Sequence, residues 1–209
     1  MTDAVPQAIA AALDDPFAQL TGPLAGTTKL HFEVTSTASL TPHMQRIELT
    51  AAELDGFRYM AGQDVMLLVA AEGHKPVRRR YTIRHFDPAR RLLTIDVVLH
   101  GDGPGERWVR SARPGDRIEG IGPRGKIFPN PAADWHLFMG DEAALPAILA
   151  MTESLPGDAD ATLVLEVPEA DDEQEVLAGR GLPPEQVSPK AYWGRGRANA
   201  GHGEPARGS

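Results

Sequence analysis

The sequence predicts an antiparallel β-barrel followed by a shortened parallel α/β domain. Three observations carry that prediction. Five or six short strand-like segments lie between Lys29 and Ile121, closely spaced and separated by Gly and Pro. A glycine-rich turn opening a short helix interrupts them near Gly103. After residue 134 the pattern becomes strand–turn–helix–strand, the opening of a parallel sheet, with about 75 residues left where such a domain needs about 100 or more.

In chain order, residues 1–26 form a weak amphipathic segment that ends in the breaker-rich Thr21–Gly26 and is expected to be partly ordered. Leu30, Phe32 and Val34 then alternate with polar residues, and Met44, Ile47 and Leu49 follow Thr41-Pro42. Val65 to Val69 is a short apolar run and Arg79 to Arg84 a polar strand. Leu93, Ile95, Val97 and Leu99 alternate strictly, and Ile118 to Ile121 closes the series. Between the last two, Gly103-Pro104-Gly105-Glu106 opens a helix with Pro and Glu in its favoured first-turn positions, Asp102 is placed to cap it, and Pro114-Gly115 stops it. Trp135 to Met139 is then a strand, Gly140-Asp141-Glu142 a turn, Ala143 to Ser154 a helix, and Leu163, Leu165 and Val167 a second buried strand. Residues 168–209 are acidic, then rich in Gly, Pro and Arg, and offer no third buried strand. The boundary between the domains falls at residues 130/131, giving a barrel over 27–130 and an α/β unit over 131–209.

Composition narrows the chemistry. A net charge of −8 argues against a protein that coats nucleic acid or anionic membrane. The absence of cysteine removes disulfides, iron–sulfur clusters and thiolate zinc sites, so redox chemistry would need a bound organic cofactor. The N-terminus lacks a basic region and carries Asp14 and Asp15 within its apolar stretch, unlike a signal peptide, and no apolar run is long enough to span a bilayer. The expectation is a soluble cytoplasmic protein.

Two short motifs point to a dinucleotide cofactor. A flavin dinucleotide needs a cation for its diphosphate, an aromatic face for its ring system and a hydroxyl or amide near N5; Arg79-Arg80-Tyr81-Thr82 offers all three. Four such residues also suit a solvated strand face kept soluble by arginines. The second motif, His100-Gly101-Asp102-Gly103-Pro104-Gly105, supplies glycines that let backbone approach a phosphate, followed by the donor end of a helix. Alone it is a plain turn; about twenty residues after the first motif it becomes specific.

These segments, with Trp108, Gly122-Pro123-Arg124-Gly125, Gly140-Asp141-Glu142-Ala143-Ala144-Leu145-Pro146-Ala147 and Tyr192-Trp193-Gly194-Arg195-Gly196, run in the order of a known family. The chain resembles the siderophore-interacting proteins, FAD-containing ferric-siderophore reductases of the ferredoxin reductase-like superfamily. The resemblance implies an FAD-binding barrel followed by a truncated Rossmann-like NAD(P)H-binding domain. It implies that Arg79 pairs with the FAD phosphates, that Tyr81 and Thr82 contact the isoalloxazine, and that Gly103, Pro104, Gly105 and Trp108 form the diphosphate loop. His100 would lie toward the adenosine, Gly101 beside it is a further cofactor-binding candidate, and Gly140, Asp141 and Glu142 would open the nicotinamide-nucleotide domain. Tyr192-Trp193 would belong to a C-terminal strand and tail that returns toward the flavin. The family usually carries Thr where Ala143 stands, and further strands and helices between residues equivalent to Val167 and Tyr192.

The implied function is NAD(P)H to FAD to Fe(III) electron transfer, releasing iron from a ferric siderophore as Fe(II). Two alternatives stay open: a flavin- or siderophore-binding remnant without NAD(P)H turnover, and a general flavin or ferredoxin-type reductase. Arg124, Lys126 and Arg195, with Arg58, would form a basic rim that attracts an anionic siderophore; each alone is also ordinary surface charge. In Glu169 to Glu173 a carboxylate could meet a ribose hydroxyl, although a solvated loop is the commoner meaning. The histidines show no metal-binding spacing, and no serine-hydrolase elbow is present.

Overall fold

A computed structural model describes residues 27–71, 73–176 and 190–195. The N-terminal segment expected to be partly ordered lies outside these residues.

The alternating segments become strands of one antiparallel sheet. They are β1 (Thr28–Thr41), β2 (Met44–Thr50), β3 (Asp64–Ala71), β4 (His74–Thr82), β5 (His85–Asp87), β6 (Leu92–Val98) and β7 (Arg117–Arg124), in the spatial order β4-β3-β7-β1-β2-β6-β5. The order explains how the sheet curls into a barrel. β4 and β5, at opposite ends of that order, are nearly continuous in sequence. Ile83 N–H donates to Gln63 O on the β3 side, and Arg84 N–H donates to Thr94 O in β6, both at 2.9 Å. One stretch of chain thus meets both ends of the sheet. Leu30, Phe32, Ile47, Leu49, Leu67, Leu93 and Ile95 fill the interior, as their alternation requires.

The expected strand at Arg79 begins earlier, at His74, and runs through Pro76. Pro76 reads as a breaker, yet β4 is the outer partner of β3 over this stretch, where a missing N–H costs no ladder bond. The short helix also forms, as α1 (Pro104–Ser111). Its N-cap is Gly103 rather than Asp102, for a reason given below.

The second unit consists of β8 (His136–Gly140), α2 (Leu145–Ser154), β9 (Ala161–Val167) and β10 (Lys190–Arg195), with a parallel sheet ordered β10-β9-β8. A third strand therefore exists where the residue pattern alone offers none, at the Tyr192-Trp193 segment for which the family resemblance implies a C-terminal strand. Its pairing with β9 makes it a strand; Lys190–Arg195 is too short and too interrupted by polar residues to read as a buried run. Leu163, Leu165 and Val167 bury with Leu145, Ile148 and Leu149 of α2, while Leu137, Met139 and Val164 on the other face stay 47%, 66% and 39% exposed. Among the described residues, one face of this parallel sheet lacks the cover that such sheets normally have. The same core takes in Met44 and Val98 from the barrel, so the two units share apolar contacts.

Candidate functional site

The site is assembled where β4 passes α1. Arg79 and Tyr81 share a face of β4, and the first turn of α1 rests on it. A Cβ placed on Gly105 would lie 2.7 Å from Tyr81 Oη and 3.3 Å from Arg79 Cγ. The glycine at this position thus permits the close approach. Tyr81 also meets Trp108 of α1, with ring centroids 6.2 Å apart and planes tilted by 33°, and both rings pack against the barrel core. Burial pushes the Tyr81 phenol up to about 12, against a small opposing pull from Arg79, so it is protonated at any physiological pH. Arg79 is exposed, and its Nη1 donates to Arg78 O at 2.9 Å.

Arg80 points to the other face, where its guanidinium binds the Asp64 carboxylate, with Nε 3.1 Å from Oδ2. That hydrogen bond, with the carboxylate charge, raises the already high Arg80 pKa. Thr82 is one position out of alternation with Arg79 and Tyr81, at the last residue of β4. Asp64 pairs with Thr82 on one side and with Arg124 on the other, which puts all three on one rung across β4, β3 and β7. Arg124 thereby stands about 10 Å from Thr82, two strand spacings away. Its Nη1 contacts Met66 Sδ at 2.9 Å. Lys126 follows, exposed, after Gly125. The side chain of Arg195 lies outside the described residues, as do those of Tyr192 and Trp193; their backbone forms β10 beside β9.

The glycine loop departs from expectation in its capping. Glu106, not Asp102, satisfies it: Oε1 accepts from His100 N–H and Oε2 from Gly103 N–H, both at 2.9 Å. Burial alone would push the Glu106 carboxyl up, but these N–H donors outweigh it and hold it below the ordinary carboxylate range. Asp102 instead stays exposed, 3.6 Å from Arg107 Nη1. Glu106, at the third helical position, thus makes the half of a capping box that a side chain at that position can make, its carboxylate accepting from the N-cap N–H; Gly103 has no side chain to return the bond.

Near the second unit, Gly140 ends β8, where a Cβ would lie 2.6 Å from Ala144 Cβ and 3.0 Å from Ile148 Cδ1. Asp141 turns its carboxylate onto the N–H groups of Ala143 and Ala144, at 3.0 and 3.2 Å. Glu142 is partly buried beside them. The acidic run holds a surprise: Asp172 is neither solvated nor turned to a ligand. It is 3% exposed and accepts from His43 N–H at 3.1 Å, with His43 Nδ1 2.8 Å from its other oxygen. Sequence reasoning also missed Arg84, Glu153 and Asp64, whose partners lie far along the chain. Among the described residues no group of three potential metal ligands occurs, and no helix is long and apolar enough to cross a membrane. A cavity of about 600 Å³ beside His31, Thr50, Arg91 and Glu119 contains none of the expected site residues.

Comparison with known proteins assigns the family. Residues 67–127 match the model of a siderophore-interacting FAD-binding domain and residues 133–182 that of a siderophore-interacting protein. The chain belongs to the siderophore-interacting protein family. Within it, the chain is 35% identical over 200 residues to the uncharacterized protein Rv2895c of Mycobacterium tuberculosis, covering 84% of this chain and 69% of that one. It is 41% identical over 107 residues to the ferric vibriobactin reductase ViuB of Vibrio cholerae, covering 49% of this chain and 38% of that protein. The crystal structure of a siderophore utilization protein from T. fusca superimposes with a TM-score of 0.68 at 31% identity, covering 88% of this chain and 73% of that one. Barrel and parallel sheet together form a ferredoxin reductase-like fold, which this chain shares with a ferredoxin reductase of carbazole 1,9a-dioxygenase at 16% identity and a TM-score of 0.66 and with the ferredoxin-NADP+ reductase of Plasmodium falciparum at 13% identity and a TM-score of 0.61.

Proposed function

We propose that this siderophore-interacting protein is an FAD-dependent ferric-siderophore reductase. The observation that carries the reading is the convergence of Arg79, Tyr81 and Gly105, which sets a cation, an aromatic ring and a helix N-terminus side by side. That set fits a flavin diphosphate and its ring system, with one exception, the carboxylate of Glu106. The kinship with a ferric vibriobactin reductase supports the substrate class.

When bound, FAD supplies the conversion between two-electron hydride uptake and single-electron delivery to Fe(III). The residues of the chain bind and orient. Arg79 offers its guanidinium to the phosphates, and the first turn of α1 adds backbone N–H groups. Tyr81 would offer a neutral aromatic ring to the bound flavin, and Thr82 would offer a hydroxyl at the strand end. Arg124, on the rung beyond Asp64, and the exposed Lys126 two residues further on attract an anionic ferric chelate to that rim. Residues 27–130 are the flavin-binding domain in this reading, and residues 131–209 the nucleotide-binding one, with Gly140, Asp141 and Glu142 at its opening turn.

A second reading, flavin binding without turnover by NAD(P)H, is favoured by two features of the second unit. Its described sheet has three strands with one face bare, and Asp141 already occupies N–H groups of the turn that would meet a nucleotide. Purified protein reconstituted with FAD, then mixed with NADPH or NADH and a ferric siderophore, tests both. Yellow protein whose flavin is bleached by a nucleotide and reoxidised by the siderophore supports the reductase. Bleaching by dithionite alone leaves the second reading, and protein that cannot be reconstituted overturns both.

A further inference from the structure

An anion-binding loop works by leaving backbone N–H groups for its ligand. In this loop two of them are already taken from within. Glu106 folds its carboxylate back over Gly101 and Gly103 and accepts both His100 N–H and Gly103 N–H at 2.9 Å. A side chain on Gly101 would start 3.1 Å from Oε2, and one on Gly103 3.8 Å from it, so the carboxylate fills the hollow these glycines leave. The Glu106 side chain is only 13% exposed. Its ion-pair partner among the described residues is the exposed His100, with Nδ1 3.8 Å from Oε1. Arg107 turns to Asp102 instead, and Arg79 lies beyond Gly105 with its guanidinium on Arg78 O.

We infer that Glu106 is an affinity-setting residue, an internal anion that competes with the cofactor's diphosphate for this loop. This rests on the flavin reading above. A diphosphate arriving at α1 meets a negative charge held beside the same backbone donors. The carboxylate then either swings out, giving up two charge-assisted hydrogen bonds, or stays and repels the phosphates; both oppose binding. The effect is confined to the phosphate end. A flavin lacking phosphate never competes for the loop.

The test compares FAD with riboflavin, by quenching of flavin fluorescence, on the full chain and on two variants, Glu106→Ser and Glu106→Gln. The expected result is FAD binding about tenfold tighter in Glu106→Ser, a smaller gain in Glu106→Gln, and riboflavin affinity within about twofold of the parent protein. Without ligand, Glu106→Ser melts a few degrees lower because His100 N–H and Gly103 N–H lose their acceptor. FAD affinity unchanged or weakened in folded variants overturns the inference while leaving the flavin reading intact. An equal gain for riboflavin also overturns it, since the effect would not then act on phosphate. If the parent protein and both variants bind neither flavin, the flavin reading fails and this inference with it. Glu106→Gln preserves size and one acceptor, so it answers the question even if Glu106→Ser does not fold.

Discussion

Arg84 of the barrel and Glu153 of α2 join the two units through a bidentate ion pair, with Nη1 donating to Oε2 at 2.7 Å and both side chains 12% exposed. The guanidinium also lies 3.6 Å from Asp96 Oδ2, a buried carboxylate that Arg46 grips through two hydrogen bonds of 2.8 Å. Removing Glu153 leaves a nearly buried guanidinium with one distant partner. Glu153→Ala is expected to destabilise the protein by about 2–3 kcal/mol in urea unfolding. Arg84 is two residues beyond Thr82, and α2 grips it through Glu153, so the same variant should loosen FAD several-fold in flavin-fluorescence titration.

Tyr81 provides a separable test of ring and hydroxyl. Tyr81→Phe keeps the contact with Trp108 and should bind FAD within about threefold of the parent protein; Tyr81→Ala removes the ring and should cost about 3 kcal/mol of stability and most of the affinity. The phenol pKa of about 12 in the folded chain, against an ordinary 10, adds a pH signature. Its stabilising contribution is complete below about 10 and is lost as pH rises toward 12, because the unfolded chain ionises first. Ultraviolet titration should find one tyrosine that ionises only with alkaline unfolding.

Asp172 shifts the opposite way. Burial pushes its carboxyl up, but the hydrogen bonds from the His43 ring and the His43 N–H outweigh that and hold it below the ordinary 3.8. A depressed folded-state value means its contribution is present above pH 3.8 and is lost as pH falls below it. Asp172→Asn should therefore be less stable than the parent protein at neutral pH, with the gap narrowing under acid. Equal melting temperatures for the two proteins at pH 7 would contradict this.

Gly140 is expected to resist substitution for a packing reason. A methyl group there would sit 2.6 Å from Ala144 Cβ, an atom fixed to the backbone. Gly140→Ala should force α2 away from β8 and cost about 1–3 kcal/mol in denaturant unfolding.

Much of this was legible from residue order. Alternation at Leu30, Phe32 and Val34 and from Leu93 to Val97 marks the barrel interior because strand side chains repeat every second residue. The switch to a strand–turn–helix pattern at Gly140 marks the parallel unit. Arg79, Tyr81 and Gly105 were candidates because of their chemistry, and the fold brings them into contact. Glu106 takes its expected place in the first turn, but the capping role expected of Asp102 falls to it, because either carboxylate can cap the helix and only the path of the loop selects one.

Periodicities, glycines and motif order can be read from residue order, because they are local properties of the chain. Barrel closure through Ile83 and Arg84, the parallel pairing of Lys190–Arg195 with β9, and the pairings of Arg84 with Glu153 and His43 with Asp172 arise only in three dimensions. Each joins groups far apart in sequence, and no local propensity encodes which distant partner a buried charge will find. Arg79-Arg80-Tyr81-Thr82 shows the division within a single strand: alternation predicts that its side chains part to two faces, but only the fold sets Gly105 against one and Asp64 against the other.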